Sequence, residues 1–164
     1  IALVRAEPAQ AESLLEDLSE LFRHALVDSN EAVPLRQELD LARHYLAIES
    51  VRFGERLRIE WNIDPEASEA RLPPLILQPL VENAVKHGVE PSETGAVVRI
   101  STQRRGSVVV IKVTNTVPAG TGKPGHGLAL DNVRQRLNLL HDVEGRFQCV
   151  LIDGIYQVRL EIPV

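Results

Sequence analysis

Residues 77–88 read LQPLVENAVKHG, and this stretch decides the fold. Asn83, Lys86 and His87 are spaced by three and four residues, so they share one face of a helix. An amide oxygen, a cation and an imidazole on one face suit a magnesium triphosphate, because magnesium takes oxygen ligands and lysine neutralises phosphates. The spacing alone fits an ordinary solvated helix face equally well.

The helix that carries this face has predicted limits on both sides. The pair Pro73-Pro74 opens it, because proline is favoured in the first turn of a helix. It reaches His87, and Gly88 caps it, since glycine is common just past a helix end. Pro79 lies inside and is expected to kink or restart the helix, because proline lacks an N–H donor.

Two more helices are predicted upstream. The first opens at Pro8 and ends at residues 28–30, with leucines at spacings of three and four. The second covers residues 35–53 and stops at Gly54.

Around these helices five strands are predicted. Residues 57–63 alternate strictly between apolar and polar, and residues 97–102, 108–113, 146–152 and 155–162 form two hairpins, around Arg105-Gly106 and Asp153-Gly154. A loop rich in glycine and proline at 114–126 and a helix at 128–140 separate the last two hairpins. Consecutive strands at the end of the chain need antiparallel pairing, with the helices collected on one face. The predicted fold is therefore α+β: a two-layer sandwich whose mixed sheet packs on the 74–87 and 128–140 helices, preceded by two helices.

Composition narrows the class of protein. The 164 residues are 44% hydrophobic, enough for one domain with a real core, and the net charge of −5 gives no electrostatic footprint for nucleic acid. Cys149 is the single cysteine, which excludes an internal disulfide and a CxxC motif. No apolar run reaches the roughly 20 residues that cross a bilayer. Because the chain begins with Ile1 and not Met, we interpret it as a fragment or a processed product.

A second informative stretch, residues 120–128, reads GTGKPGHGL and leads into the predicted 128–140 helix. Glycines let the backbone approach a phosphate, and the start of a helix offers free N–H groups and a positive dipole. The stretch has no GxxxxGK[ST] pattern, so it is not a Walker A loop. A plain glycine-rich loop that caps a helix gives the same pattern.

The two stretches together resemble the N box and the G box of the GHKL ATPase superfamily, which has the Bergerat fold. The residues of these two motifs are most similar to those of LytS-like sensor histidine kinases, in which a His_kinase segment precedes a HATPase_c domain. The chain also resembles, on fewer residues, an AlgZ/FimS-like subgroup. Residues 35–54, LRQELDLARHYLAIESVRFG, and residues 17–23, DLSELFR, resemble the upstream part of that family. The resemblance covers nearly the whole chain.

The resemblance implies ATP and Mg²⁺ as cofactors and a role for each matching residue. Asn83 would be the magnesium ligand, and Lys86 would contact the nucleotide. Glu82 joins Asn83 and Lys86 as a catalytic candidate, although it points about 100° away around the helix. The implied nucleotide-binding set is Asn83, Lys86, His87, Asn115, Gly125, His126, Gly127, Leu128 and Arg134, with Gly125 and Gly127 as the hinge of a lid over ATP.

Two departures from the family pattern concern the chemistry. Where the family has a DxGxG box, residues 115–119 read NTVPA, so Asn115 keeps a carbonyl acceptor but loses the charge, and both glycines are absent. GHKL hydrolases keep a glutamate four residues before the magnesium asparagine. Here that position is Pro79, which cannot activate water. Poor hydrolysis suits an enzyme that transfers the phosphoryl group.

The resemblance also divides the chain. Residues 1–30 would be the C-terminal part of the dimerisation and phosphoacceptor region, 31–56 a linker helix and 57–164 the ATP-binding domain. The phosphorylated histidine is expected upstream of Ile1, so the chain alone should not phosphorylate itself, and His24 is interpreted as a helix-surface residue.

The resemblance implies partners and a location as well. These are a response regulator of LytTR type, a homodimer through the upstream helices, and no nucleic acid. The expected location is cytoplasmic, with the parent protein anchored in the inner membrane by upstream segments. Three functions stay open: phosphoryl transfer as a histidine kinase, a degenerate nucleotide-binding or interaction module and, less favoured because of Pro79, an ATP-driven clamp.

Overall fold

The computed structural model describes residues 8–25, 32–118 and 146–164. These residues form helices α1 (Pro8–Ala25), α2 (Leu35–Phe53) and α3 (Leu77–Ala84), and strands β1 (Val33–Pro34), β2 (Leu57–Asn62), β3 (Arg71–Leu72), β4 (Ala96–Arg105), β5 (Val108–Thr116), β6 (Phe147–Ile152) and β7 (Ile155–Pro163). The predicted 128–140 helix, most of the 114–126 loop and the predicted end of the first helix at 28–30 lie outside the described residues.

The main sheet has five strands in the order β2-β4-β5-β7-β6. β2 runs parallel to β4, and the other neighbours are antiparallel, so the sheet is mixed. A short antiparallel ribbon of β1 and β3 lies apart from it. Alternate residues of the strands point to one face, where they join apolar residues of α2 and α3 in a single core. The predicted α+β sandwich with a mixed five-stranded sheet is confirmed.

The central hairpin is longer than the sequence pattern indicated. The sequence predicted strands at 97–102 and 108–113 joined around Arg105-Gly106, whereas β4 and β5 extend to Arg105 and Thr116. The added residues are mostly polar, and they stay in the ladder because backbone groups, not side chains, make its hydrogen bonds. Arg104 pairs with Val109, and Asn115 pairs with Val98.

The start predicted for the helix of residues 74–87 is wrong. α3 begins at Leu77, and the preceding residues turn instead, with Leu75 in the left-handed region at a φ of 57°. The physical reason is a side-chain cap from α2: the Glu38 carboxylate accepts hydrogen bonds from the backbone N–H groups of Leu75, Ile76 and Leu77. Those donors therefore have partners without a preceding helical turn.

The predicted effects of Pro79 and Gly88 are also corrected. Pro79 is the third residue of α3, where a backbone N–H has no partner within the helix, so it fits the first turn without kinking it. Gly88 does not cap the helix, because a π-helical turn over Val85–Val89 continues it. In contrast, α2 has the predicted limits, and α1 begins at Pro8 as predicted.

α1 lies against α2 through a polar contact and a small apolar one. His44 Nδ1 lies 3.0 Å from Asp17 Oδ1, and Ala11 is buried. Leu15 and Leu18 of α1 are exposed. Within the described ranges, no helix has the length and apolar character needed to span a membrane.

Gly95 gives a test of this packing, because it combines a strained backbone with a close contact. Its φ is +90°, and an added Cβ would lie 2.1 Å from the Arg56 carbonyl oxygen. We expect Gly95→Ala to lower the free energy of unfolding by about 3 kcal/mol, from backbone strain and overpacking together. Urea unfolding followed by circular dichroism measures this change.

The matched control is Gly106→Ala. Gly106 has a φ of +62°, and no atom lies within 4 Å of the added Cβ. This variant should lose only about 1 kcal/mol, the cost of a left-handed alanine. Equal losses in the two variants would contradict the close packing of Gly95 on Arg56.

Candidate functional site

The candidate site lies where the end of α3 meets the end of β5. A Cβ on Gly88 would come within 2.8 Å of Asn115 Nδ2 and 2.9 Å of the Thr116 carbonyl oxygen. Only glycine lets the helix backbone approach the strand this closely. The structure thus brings the LQPLVENAVKHG stretch against Asn115, two features that are 27 or more residues apart in the chain.

The π-helical turn shapes the face that α3 presents. Its backbone closes with an i to i+5 hydrogen bond, from the Glu90 N–H to the Val85 carbonyl at 3.1 Å. Such turns often occur at functional sites. Lys86 is exposed, and Asn83 and His87 are partly exposed. The neighbouring residues on the other side of the helix are buried: Leu80, Val81, Ala84, Val85, Gly88 and Val89. The predicted polar face is therefore accessible.

His87 has an altered protonation equilibrium. Burial lowers the pKa of His87 below its ordinary value of 6.5, the positive charge of Lys86 lowers it further, and Glu90 opposes both. The neutral imidazole is consequently favoured at neutral pH. A neutral ring can donate a hydrogen bond through one nitrogen and accept one through the other.

Asn115 is almost fully buried near the end of β5, with 1% of its surface exposed. Its side-chain Nδ2 donates to the Thr116 carbonyl at 3.1 Å. The neutral amide can make this bond, whereas a carboxylate would face that carbonyl with a like partial charge. The neutral Asn115 amide therefore satisfies the neighbouring backbone carbonyl at this buried position.

Glu82, the other acidic candidate, is exposed on the surface of α3. Its Oε1 accepts a hydrogen bond from Gln78 Nε2 at 3.1 Å, one helical turn earlier. The described part of the site thus holds Glu82, Asn83, Lys86, His87 and Asn115. The remaining predicted residues lie outside the described ranges: Gly125, His126, Gly127, Leu128 and Arg134.

Sequence reasoning missed the residues by which α2 supports α3. Glu38 is 3% exposed, and its carboxylate holds the first turn of α3. The signal was present, because Glu38 interrupts an apolar stripe that continues through Leu35, Leu39, Ala42 and Leu46 at helical spacing. A charged residue on a buried stripe needs partners, and here they are backbone N–H groups.

Farther along α2, Tyr45 and Glu49 lie near the acidic residues Glu82 and Glu90 of α3 and the turn after it. Burial raises the pKa of Tyr45, and Glu49, Glu82 and Glu90 raise it further. Burial also raises the pKa of Glu49, which Arg52 opposes. Arg52 lies 3.4 Å from Glu90 and 3.6 Å from Glu49, so one cation partly balances this acidic edge of the site.

Comparisons with known proteins agree with this geometry. The family model "Histidine kinase" matches residues 1–57. Sensor histidine kinase YesM of Bacillus subtilis is 33% identical over 135 residues, which cover 79% of this chain and 23% of YesM. Sensor protein LytS of Enterococcus faecalis is 29% identical over 181 residues, 99% of this chain and 30% of LytS.

Among solved structures, the nucleotide-free catalytic domain of histidine kinase ThkA superposes with a TM-score of 0.59 at 19% identity, covering 81% of this chain and 95% of that domain. The described residues therefore have the fold of a histidine kinase catalytic domain. The chain is similar in sequence, over most of its length, to sensor histidine kinases such as YesM and LytS. It spans about a quarter of the length of the relatives that it matches.

The pKa of His87 gives a test of the site's electrostatics. We expect NMR titration of the His87 ring protons to give a midpoint below 6.5. Lys86→Gln should raise the midpoint, because it removes a nearby positive charge, and Glu90→Gln should lower it, because it removes a negative one. Shifts of the same sign in both variants, or none, would contradict the arrangement of these three residues.

Proposed function

We propose that this chain is the ATP-binding catalytic domain of a two-component sensor histidine kinase. It binds Mg-ATP and presents the γ-phosphate to a histidine outside the chain, from which the phosphoryl group passes to a response regulator. The contact of Gly88 with Asn115 and Thr116 carries the proposal. In this proposal, the α3 face with Asn83, Lys86 and His87 binds the magnesium and phosphates, and the adjacent Asn115 takes the place of the family's adenine-binding aspartate.

The polar face of α3 suits a magnesium triphosphate. Mg²⁺ often binds through one or two protein oxygens, with phosphates and waters as its other ligands, and the Asn83 side-chain oxygen supplies one such ligand. The exposed Lys86 ammonium can neutralise the phosphates. The neutral His87 can hydrogen-bond them without an added charge. A magnesium ion held by the Asn83 side-chain oxygen would offset the negative charge that develops during phosphoryl transfer.

The other half of the proposed site is the end of β5 with the segment that follows. Asn115 offers an amide carbonyl for the adenine amino group. The family resemblance assigns Gly125, His126, Gly127 and Leu128 to a lid over ATP and Arg134 to the contacts with the phosphates. Catalysis in such a site is positioning and charge neutralisation rather than covalent chemistry by the protein.

Transfer is favoured over hydrolysis by the residues near Asn83. Pro79 occupies the first turn of α3 and has no group that could activate water. Glu82 is hydrogen-bonded along the helix surface to Gln78. Among the catalytic candidates, Asn83 and Lys86 would act on the phosphates, and Glu82 would contribute negative charge at the rim.

The proposed partners follow from the family. They are a response regulator, of LytTR type in the finer proposal, and a second copy of the parent kinase, joined through the upstream helices. The exposed apolar side chains of Leu15 and Leu18 on α1 support the second proposal. We further propose that the chain works in the cytoplasm, with the parent protein anchored in the inner membrane, and that the division at residues 1–30, 31–56 and 57–164 reflects these roles.

A degenerate nucleotide-binding or interaction module is the second candidate. It is favoured by Asn115, Val117 and Ala119 in place of the aspartate and the two glycines. Val117 is engaged with the neighbouring β6–β7 hairpin, since its N–H donates to the Gly154 carbonyl at 2.9 Å. In this case the fold would remain, but nucleotide affinity would be lost.

Titration with a fluorescent ATP analogue, with and without Mg²⁺, separates the two candidates. We expect the chain to bind the analogue and Asn83→Ala to weaken magnesium-dependent binding at least about tenfold, equivalent to about 1.4 kcal/mol. Binding without Mg²⁺ should change much less, because Asn83 acts through the metal.

Asn62→Ala is the matched control, because Asn62 ends β2 in register with Ser101, away from α3. It should bind as the unmodified chain does. No binding by the unmodified chain at millimolar analogue would favour the degenerate module. Equal affinity of Asn83→Ala and the unmodified chain would exclude the role of Asn83.

A further inference from the structure

The first turn of α3 is held by a buried carboxylate from another helix. Glu38 Oε1 accepts from the N–H groups of Ile76 at 2.7 Å and Leu77 at 3.1 Å, and Oε2 accepts from Leu75 at 3.1 Å. Three consecutive backbone donors thus converge on one side chain. The left-handed conformation of Leu75 is what turns these N–H groups toward α2.

The C-terminal end of α3 is held by the guanidinium of Arg56, which lies just after the end of α2. Arg56 Nη2 donates to the carbonyls of Val89 at 3.0 Å and Ser92 at 2.7 Å, and also reaches Glu90 at 3.3 Å. Arg56 Nε adds a second bond to Ser92 at 3.1 Å. These carbonyls lie at and just beyond the π-helical turn, where the last carbonyls of a helix have no partners within it.

The Glu38 and Arg56 contacts together fix both ends of α3 relative to α2. Glu38 is near the start of α2 and binds the start of α3, while Arg56 follows the end of α2 and binds the end of α3, so the helices run side by side in the same direction. A negative charge at the N-terminus and a positive charge at the C-terminus also complement the helix dipole.

We propose that Glu38 and Arg56 are positioning residues of the nucleotide site, which they set by fixing where α3 lies along and about its own axis. This inference rests on the proposed function. Asn83, Lys86 and His87 lie between the two anchors, so the direction of all three side chains depends on both anchors. Displacements of the order of 1 Å in such groups cost up to roughly 100-fold in function.

Apolar packing alone does not supply this positioning. The inner side of α3 is buried through Leu77, Leu80, Val81 and Ala84, and this burial holds the helix on the sheet. The hydrophobic effect is non-directional, so small slides or rotations of a short helix change the buried area little. Directed hydrogen bonds at both ends distinguish one placement from its neighbours.

The test measures nucleotide affinity and stability separately. The affinity of the complete chain for Mg-bound fluorescent ATP analogue is titrated for Glu38→Ala, Glu38→Gln and Arg56→Gln, at a temperature where circular dichroism shows each variant folded. Glu38→Gln keeps an acceptor for two donors but sets an NH₂ group against the third, so it is the conservative variant. Hydrogen exchange of residues 75–77 reports the first turn directly.

Two controls match these variants. Asp40→Asn changes an acid two residues farther along α2 that is exposed and pairs only with Arg43 at 3.6 Å among the contacts described. Val158→Ala destabilises the core from β7, and so measures what a loss of stability alone does to affinity.

We expect Glu38→Ala and Arg56→Gln to weaken analogue binding at least about tenfold. The affinity of Glu38→Gln should lie between those of Glu38→Ala and the unmodified chain. The affinities of both controls should stay within about twofold of the unmodified chain. Faster exchange at residues 75–77 should accompany the Glu38 effects. If Glu38→Gln and Arg56→Gln unfold more easily but bind the analogue like Val158→Ala, the anchors are only structural and the inference is overturned. An unmodified chain that binds no analogue would overturn the proposed function and remove the inference with it.

Discussion

The carboxylate of Glu38, which accepts three backbone N–H groups at the start of α3, is the constraint on which the site depends. A buried carboxylate is costly unless hydrogen bonds compensate it, and unbonded N–H groups at a buried helix start are costly too. The hydrogen bonds between the carboxylate and the N–H groups offset the desolvation cost of both partners. The result is a helix that starts at Leu77 rather than at the proline pair before it. The apolar stripe of α2 is also continuous with the core beneath α3, so α2 and α3 belong to one packed unit.

The position of α3 determines what its other end can do. The π-helical turn and Gly88 bring the helix backbone against β5, so the end of α3 that carries the polar face packs on Asn115 and Thr116. Arg56 holds the carbonyls that follow this turn. On the opposite side, α1 is attached to α2 through Asp17 and His44. One helix, α2, therefore contacts both α1 and α3, which is a physical route between α1 and the proposed nucleotide site.

Local patterns predicted much of the fold, and their failures have physical causes. Apolar segments beside turn residues located all five strands of the main sheet, and helical spacing placed α2 at its observed limits, because both signals come from burial. The start of α3 was wrong because its cap comes from a residue 38 positions earlier, which no local rule contains. Asn83, Lys86 and Asn115 were predicted because they match positions of the family's sequence motifs. Glu38 and Arg56 bond only backbone groups of α3 and the turn after it, so no motif identified them.

The most direct test of the central claim, that the α3 face and the end of β5 form one nucleotide site, is amide NMR mapping of the chain with a Mg-bound, non-hydrolysable ATP analogue. The largest shift changes should fall on residues 83–88 and 115–117 and should diminish when Mg²⁺ is removed. Changes confined to the opposite face of the sheet, at Ser101 and Lys112 for example, would contradict the claim. So would an unchanged spectrum at saturating analogue.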